Sequence, residues 1–186
     1  MIRVLDKGYV ILRRPDFTKS DIRSIRKNGF DTKRLQNHIY VSMLIKCPLF
    51  VKMIFPDFGL ITLTCNKGEI ECFEPTMSDV KAETPTISQE IADDIKATSE
   101  ALIINPKAYR ADGCERTVSQ VNSPIGLYNK VIVSGFLSNW NEFISNPNLP
   151  YLIEDYRKAI HELILAEYQE VINDAFEKET TNSAEV

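Results

Sequence analysis

The strongest constraint on this chain is an apolar stripe near its C-terminal end. Leu152, Ile153, Tyr156, Ile160, Leu163, Ile164, Val171, Ile172 and Phe176 recur mainly at spacings of three and four. That period predicts an amphipathic helix of about seven turns at 3.6 residues each. Such a helix must bury its stripe against another layer. Its length exceeds what one small core needs to cover, so part of the stripe is expected to meet another subunit. Residues 177–186 are polar and read as a flexible tail.

The layer beneath this helix should come from strands earlier in the chain. Residues 39–45 alternate, with Ile39, Val41, Met43 and Ile45 on one face and Tyr40, Ser42 and Leu44 on the other. Val131, Ile132 and Val133 form the β-branched heart of a strand from Tyr128 to Ser134. Val4 to Leu12 predicts one opening strand, or two short ones pivoting at Gly8. Gly59 to Phe73 reads as a hairpin turning at Asn66-Lys67-Gly68-Glu69, which would set Cys65 and Cys72 face to face.

Helix signals punctuate these strands. Thr18 and Ser20 are N-cap candidates for a short basic helix carrying Ile22 and Ile25 and ending before Gly29. Pro48 suits the first position of a helix carrying Phe50, Val51 and Ile54, with Pro56 as its stop. Ser88 is a cap for a helix burying Ile91, Ile95, Ala101 and Leu102, stopped by Asn105-Pro106. A short helix is expected over Cys114–Asn122, and another begins at a Ser138 cap with Trp140, Phe143 and Ile144 inside. Asn146 to Pro150 is a rigid linker. The fold class is α+β: one domain over 1–176 with a twisted, mainly antiparallel sheet and a long C-terminal helix.

Composition narrows the function classes. A net charge of −4 argues against general nucleic-acid binding. No apolar run approaches the roughly 20 residues that span a bilayer, and charges interrupt the first seven residues where a secretory signal would stand. The expected location is therefore cytoplasmic. Cys47, Cys65, Cys72 and Cys114 show no C-x-x-C spacing and read as packing residues. With His38 and His161 far from any such cluster, no metal site is expected. No glycine-rich phosphate loop or nucleophile elbow is present, and no catalytic residue can be named.

The order of segments carries a resemblance. Val4-Leu5-Asp6-Lys7-Gly8-Tyr9-Val10, then His38-Ile39-Tyr40-Val41 leading to Lys46-Cys47-Pro48-Leu49-Phe50-Val51, then Pro124-Ile125-Gly126-Leu127-Tyr128-Asn129-Lys130, resemble successive segments of flavin-dependent thymidylate synthases. They cover about half the chain. The resemblance implies a homotetramer with sites between subunits, using flavin adenine dinucleotide, deoxyuridylate, methylenetetrahydrofolate and a nicotinamide reductant. It implies His38, Ser138, Asn139 and Asn141 as flavin-side candidates and Lys52 and Gln120 as substrate-side candidates.

The departures bear on chemistry. The family's signature, R-H-R-x-x-S-x-N-E-x-S-x-R-Y, should begin where Asp57-Phe58-Gly59 stands. A carboxylate at Asp57 repels a phosphate that arginine would clamp. Phe136, Ser138 and Glu142 stand where the family carries an asparagine, an arginine and another asparagine, and Gln120 replaces an arginine. The expectation is a divergent homologue linked to pyrimidine deoxynucleotides, without the standard reaction and with flavin bound weakly or not at all. An active flavin enzyme with a rebuilt site and a non-enzymatic interaction module are the alternatives.

Overall fold

In the computed structural model, residues 1–13, 15–30, 32–65, 71–74, 76, 78, 89–112 and 126–182 are described. The alternating segment becomes β3 (Tyr40–Pro48), and its β-branched counterpart becomes β5 (Tyr128–Phe136). They pair antiparallel at nine positions, from Tyr40↔Phe136 to Pro48↔Tyr128. On β3 the inward residues Val41, Met43, Ile45 and Cys47 are at most 1% exposed, as the alternation requires.

β1 (Ile2–Val4), β2 (Gly8–Leu12) and β4 (Ile61–Thr64) complete an antiparallel sheet in the order β1-β2-β3-β5-β4. The helices are α1 (Lys19–Lys27), α2 (Thr32–Leu35), α3 (Leu49–Lys52), α4 (Gln89–Ala111), α5 (Leu137–Ser145) and α6 (Tyr151–Asn182), with a 3₁₀ turn at Phe55–Phe58. The fold is α+β, and no helix among the described residues is long and apolar enough to cross a membrane.

Local chemistry explains several boundaries. Thr18 caps α1 in a capping box with Asp21, satisfying two backbone donors that a helix start leaves orphaned. Asp21 is held below the usual carboxylate range by its hydrogen bonds from Thr18. The opening strand resolves into a hairpin, with the chain reversing over Leu5-Asp6-Lys7 and Leu5 at a φ of 53°. Gly8 follows because of close approach: a Cβ there would lie 2.1 Å from the Tyr156 hydroxyl and 2.7 Å from the Val4 carbonyl.

Four expectations change. Ile61–Thr64 and Cys72 do not pair with each other, as the hairpin expected over 59–73 would require. Instead β4 runs beside β5 from Ile61↔Ser134 to Thr64↔Val131, and Cys72 meets Leu127 further along the same neighbour. Alternation specifies the face of a strand but not its partner. Ser138 does not cap α5: Phe136 is the N-cap residue, and the Ser138 N–H donates to the Gln36 carbonyl at 3.1 Å. α4 continues through Asn105-Pro106 to Ala111 and leaves Ile91 and Ile95 52% and 38% exposed. Pro48 ends β3 and precedes α3, and Pro56 lies inside the 3₁₀ turn rather than stopping a helix.

The long helix keeps its stripe for its own chain. Ile153, Tyr156, Ala159, Ile160, Ile164, Tyr168, Val171 and Ile172 are buried. α6 packs on β1, β2, α1, α2 and α5 of the same chain. Up to Ile172, then, the stripe is covered without a second subunit. A break in helical geometry at Tyr168 (φ −121°, ψ 21°) interrupts α6. The 66–69 turn, the Ser88 cap, the helix at 114–122, Cys114, Gln120 and the side chain of Phe176 lie outside the described residues.

Gly8→Ala should destabilise the protein by about 1–3 kcal/mol through overpacking. Tyr156→Phe in the same chain should recover part of that loss by removing one of the two colliding oxygens. Urea midpoints of the three proteins check this; equal midpoints for wild type and Gly8→Ala would contradict the packing described.

Candidate functional site

Two polar clusters flank the ends of the β3–β5 ladder. The first gathers Gln36, Ser138 and Asn141 where the chain leaves α2 and β5. Asn141 Nδ2 donates to Gln36 Oε1 at 2.9 Å, and Gln36 Nε2 donates to the Val171 carbonyl at 3.2 Å. Gly59, at a φ of +67°, accommodates Asn139: a Cβ at that position would lie 2.8 Å from Asn139 Nδ2. His38 is exposed in the turn before β3, its N–H bonded to the Leu35 carbonyl. The fold thus ties Ser138 and Asn141 to Gln36, two residues before His38, while Asn139 turns to Gly59 instead. Lys52 is not among them: it donates to Thr64 Oγ1 at 2.8 Å, at the far end of β4.

Asp57, Phe58 and Gly59, where the resemblance would place the signature, form part of a 3₁₀ turn and its close. Phe58 is 8% exposed and meets Phe143 edge-on at 5.3 Å, beside Phe55, which packs on Trp140. Asp57 is exposed, and Gly59 closes the 3₁₀ turn in the left-handed region. None of Asp57, Phe58 and Gly59 presents a cation. At the short helix, Ser138 spends its backbone donor on Gln36, and Glu142 is exposed and anionic. A flavin pyrophosphate requires charge-assisted donors, and these positions do not fit one.

The second cluster was not apparent from sequence, because its members are scattered over about 150 residues. Tyr128 donates to Asp6 Oδ1 at 2.5 Å, and Tyr156 donates to the Lys46 carbonyl at 2.9 Å. Lys46 pairs with Glu71 and lies 5.3 Å over the Tyr128 ring, and Lys7 pairs with Glu74 at 2.5 Å. These contacts hold the β1–β2 turn to the sheet and to residues 71–74. Burial, followed by the Asp6 carboxylate, raises the Tyr128 hydroxyl above its ordinary value. Burial is also the main cause of the rise at Tyr156. Both phenols therefore keep their protons near neutrality and cannot serve as bases there.

Burial pushes the Cys47 thiol up to about 12, so it is not a neutral-pH nucleophile. Cys72 is raised in the same direction by burial. Among the described residues no group of three or more His, Cys, Asp or Glu side chains is placed to hold a metal ion. A cavity of about 80 Å³ lies between α1 and α6, lined by residues including Lys19, Arg23, Glu167 and Gln169. It is too small for a nucleotide and touches none of the candidate site residues. No family model matches the chain, and no curated protein matches it.

Two outcomes are expected. Phe58→Arg should cost about 3 kcal/mol, by losing a buried ring and burying a charge, whereas Asp57→Arg at its exposed position should leave the melting temperature nearly unchanged. Thermal melts of both variants provide the check. Stability should hold up to about pH 9 and decline as pH rises toward 12. The sign follows from the raised folded-state values of Cys47, Tyr128 and Tyr156: the unfolded chain ionises first and draws the equilibrium toward itself. Urea midpoints across pH 8–11 test this, and a flat profile would contradict it.

Proposed function

We propose that the protein is a divergent relative of flavin-dependent thymidylate synthases that binds a pyrimidine deoxynucleotide without carrying out the standard synthase reaction. The order of the resembling segments supports the kinship. The observation that carries the loss of chemistry is the turn Asp57-Phe58-Gly59: where the resemblance would put two anion-binding arginines stand an exposed carboxylate, Asp57, and a glycine in the left-handed region, Gly59. Neither supplies the positive charge that would hold a phosphate. Flavin adenine dinucleotide binds weakly or not at all in this reading, since two lost charge-assisted contacts, at about 1.5–3 kcal/mol each, weaken affinity by roughly two to four orders of magnitude. The assembly is a homo-oligomer, a tetramer by the resemblance.

A second reading, a protein-interaction module, is favoured by the exposed apolar side chains Ile61, Leu63 and Phe136, which are 66%, 63% and 46% exposed. One set of measurements separates the two. Deoxyuridylate should raise the melting temperature in a concentration-dependent way, flavin titration should give no submicromolar quenching, and the gene alone should fail to support a thymidine-requiring host. No response to pyrimidine deoxynucleotides would remove the first reading and leave the second. Submicromolar flavin binding or restored growth would instead mark an active enzyme with a rebuilt site.

A further inference from the structure

The sequence joins asparagine to glycine once, at Asn28-Gly29. The end of α1 accounts for the glycine. Asn28 is the C-cap of that helix, and Gly29 follows at a φ of +80°, in the left-handed region that favours glycine. The Gly29 N–H closes the helix on the Arg26 carbonyl at 3.0 Å. A Cβ built on Gly29 would meet nothing within 4 Å, and Asn28, Gly29 and Phe30 are all exposed. The helix stop therefore sets an exposed carboxamide next to a backbone nitrogen that carries no side chain to shield it.

In the intact cap these two groups are held apart. Asn28 has a ψ of 9°, which keeps the Gly29 nitrogen in line with the Asn28 backbone nitrogen. Tetrahedral geometry at Cα then turns the Asn28 side chain away from it. Contact needs the last turn of α1 to open. That turn is lightly held: Ile22 is the buried residue of the helix, Ile25 is half-buried, and Ser24, Arg26 and Lys27 are exposed. Segments with few buried apolar contacts and exposed backbone hydrogen bonds open at the lowest free energy. A helix of nine residues also depends on its caps, being shorter than the roughly 12–15 residues that are marginal alone.

We propose that Asn28 is a site of spontaneous deamidation, gated by opening of the last turn of α1. In the open turn the Gly29 nitrogen gives its proton to hydroxide and attacks Asn28 Cγ. A C–N bond forms, closing a five-membered succinimide, and the Cγ–Nδ2 bond breaks. Nδ2 takes a proton from water and leaves as ammonia. Water then adds to one of the two ring carbonyls, and the ring opens to aspartate or isoaspartate with no change in oxidation state. Either product puts a carboxylate at the C-terminal end of α1, where the helix dipole disfavours it. Isoaspartate also routes the main chain through Cβ, so the Gly29 N–H no longer reaches the Arg26 carbonyl as it did. The turn that recloses is weaker than the one that opened. The inference is independent of any nucleotide.

The full chain, held at mildly alkaline pH and sampled over days, should be digested with pepsin in acid, where ring closure is slow, and its peptides weighed. The peptide spanning Asn28 should gain one mass unit at least tenfold faster than any other asparagine-containing peptide, and should separate into aspartate and isoaspartate forms. Thr18→Ala removes the side chain that caps the other end of α1, and should speed the gain several-fold. Thr18 is exposed, so circular dichroism of this variant should remain that of a folded protein. Conversion at Asn28 no faster than at the other asparagines would overturn the site. A rate unchanged in Thr18→Ala would overturn the gating by helix opening.

Discussion

The structure depends first on the nine-position ladder between β3 and β5. These strands are separated in sequence by residues 49–127, and each donates its other edge to a further strand, β2 on one side and β4 on the other. The ladder also places the helices at its ends. The Leu49 N–H donates to the Leu127 carbonyl at 3.0 Å, fixing the start of α3, and the Leu137 N–H donates to the Ile39 carbonyl at 2.8 Å, fixing the start of α5. Helix starts whose donors are met by a neighbouring strand need no side-chain cap. This accounts for Ser138 having no capping role.

Sequence disclosed the pieces better than their arrangement. The alternation at 39–45, the β-branched run at 131–133, the Thr18 capping box and the inward Trp140, Phe143 and Ile144 are local patterns, and local physics produces them. Pairing is nonlocal. Nothing in Ile61-Thr62-Leu63-Thr64 says whether its neighbour is residue 70 or residue 134, so a hairpin and an edge strand on β5 read alike. The long stripe of α6 was legible as a stripe, but its cover came from β1, β2 and three other helices, which no spacing within α6 encodes. Proline at 106 did not stop α4, which runs on to Ala111.

The candidate site divides in the same way. Ser138, Asn139 and Asn141 share one short helix, and at 100° per residue Asn141 falls near Ser138 but about 160° from Asn139, so that much is written in the sequence. The tie to Gln36, and through it to Val171, is not. Lysines available as phosphate ligands by residue type are committed elsewhere: Lys46 to Glu71 and the Tyr128 ring, Lys7 to Glu74, Lys52 to Thr64. Residue type cannot reveal such commitments, because each partner comes from a different element.

The edge strand beside β5 has a consequence for how this chain can change. Between Thr64 and Cys72 the edge advances eight residues while its neighbour, from Val131 to Leu127, advances four. The pairing at Thr64 and the bridge at Cys72 therefore each rest on their own partner in the neighbouring segment. Neither register is counted from the other, so a change in chain length between the two anchors leaves both contacts specified.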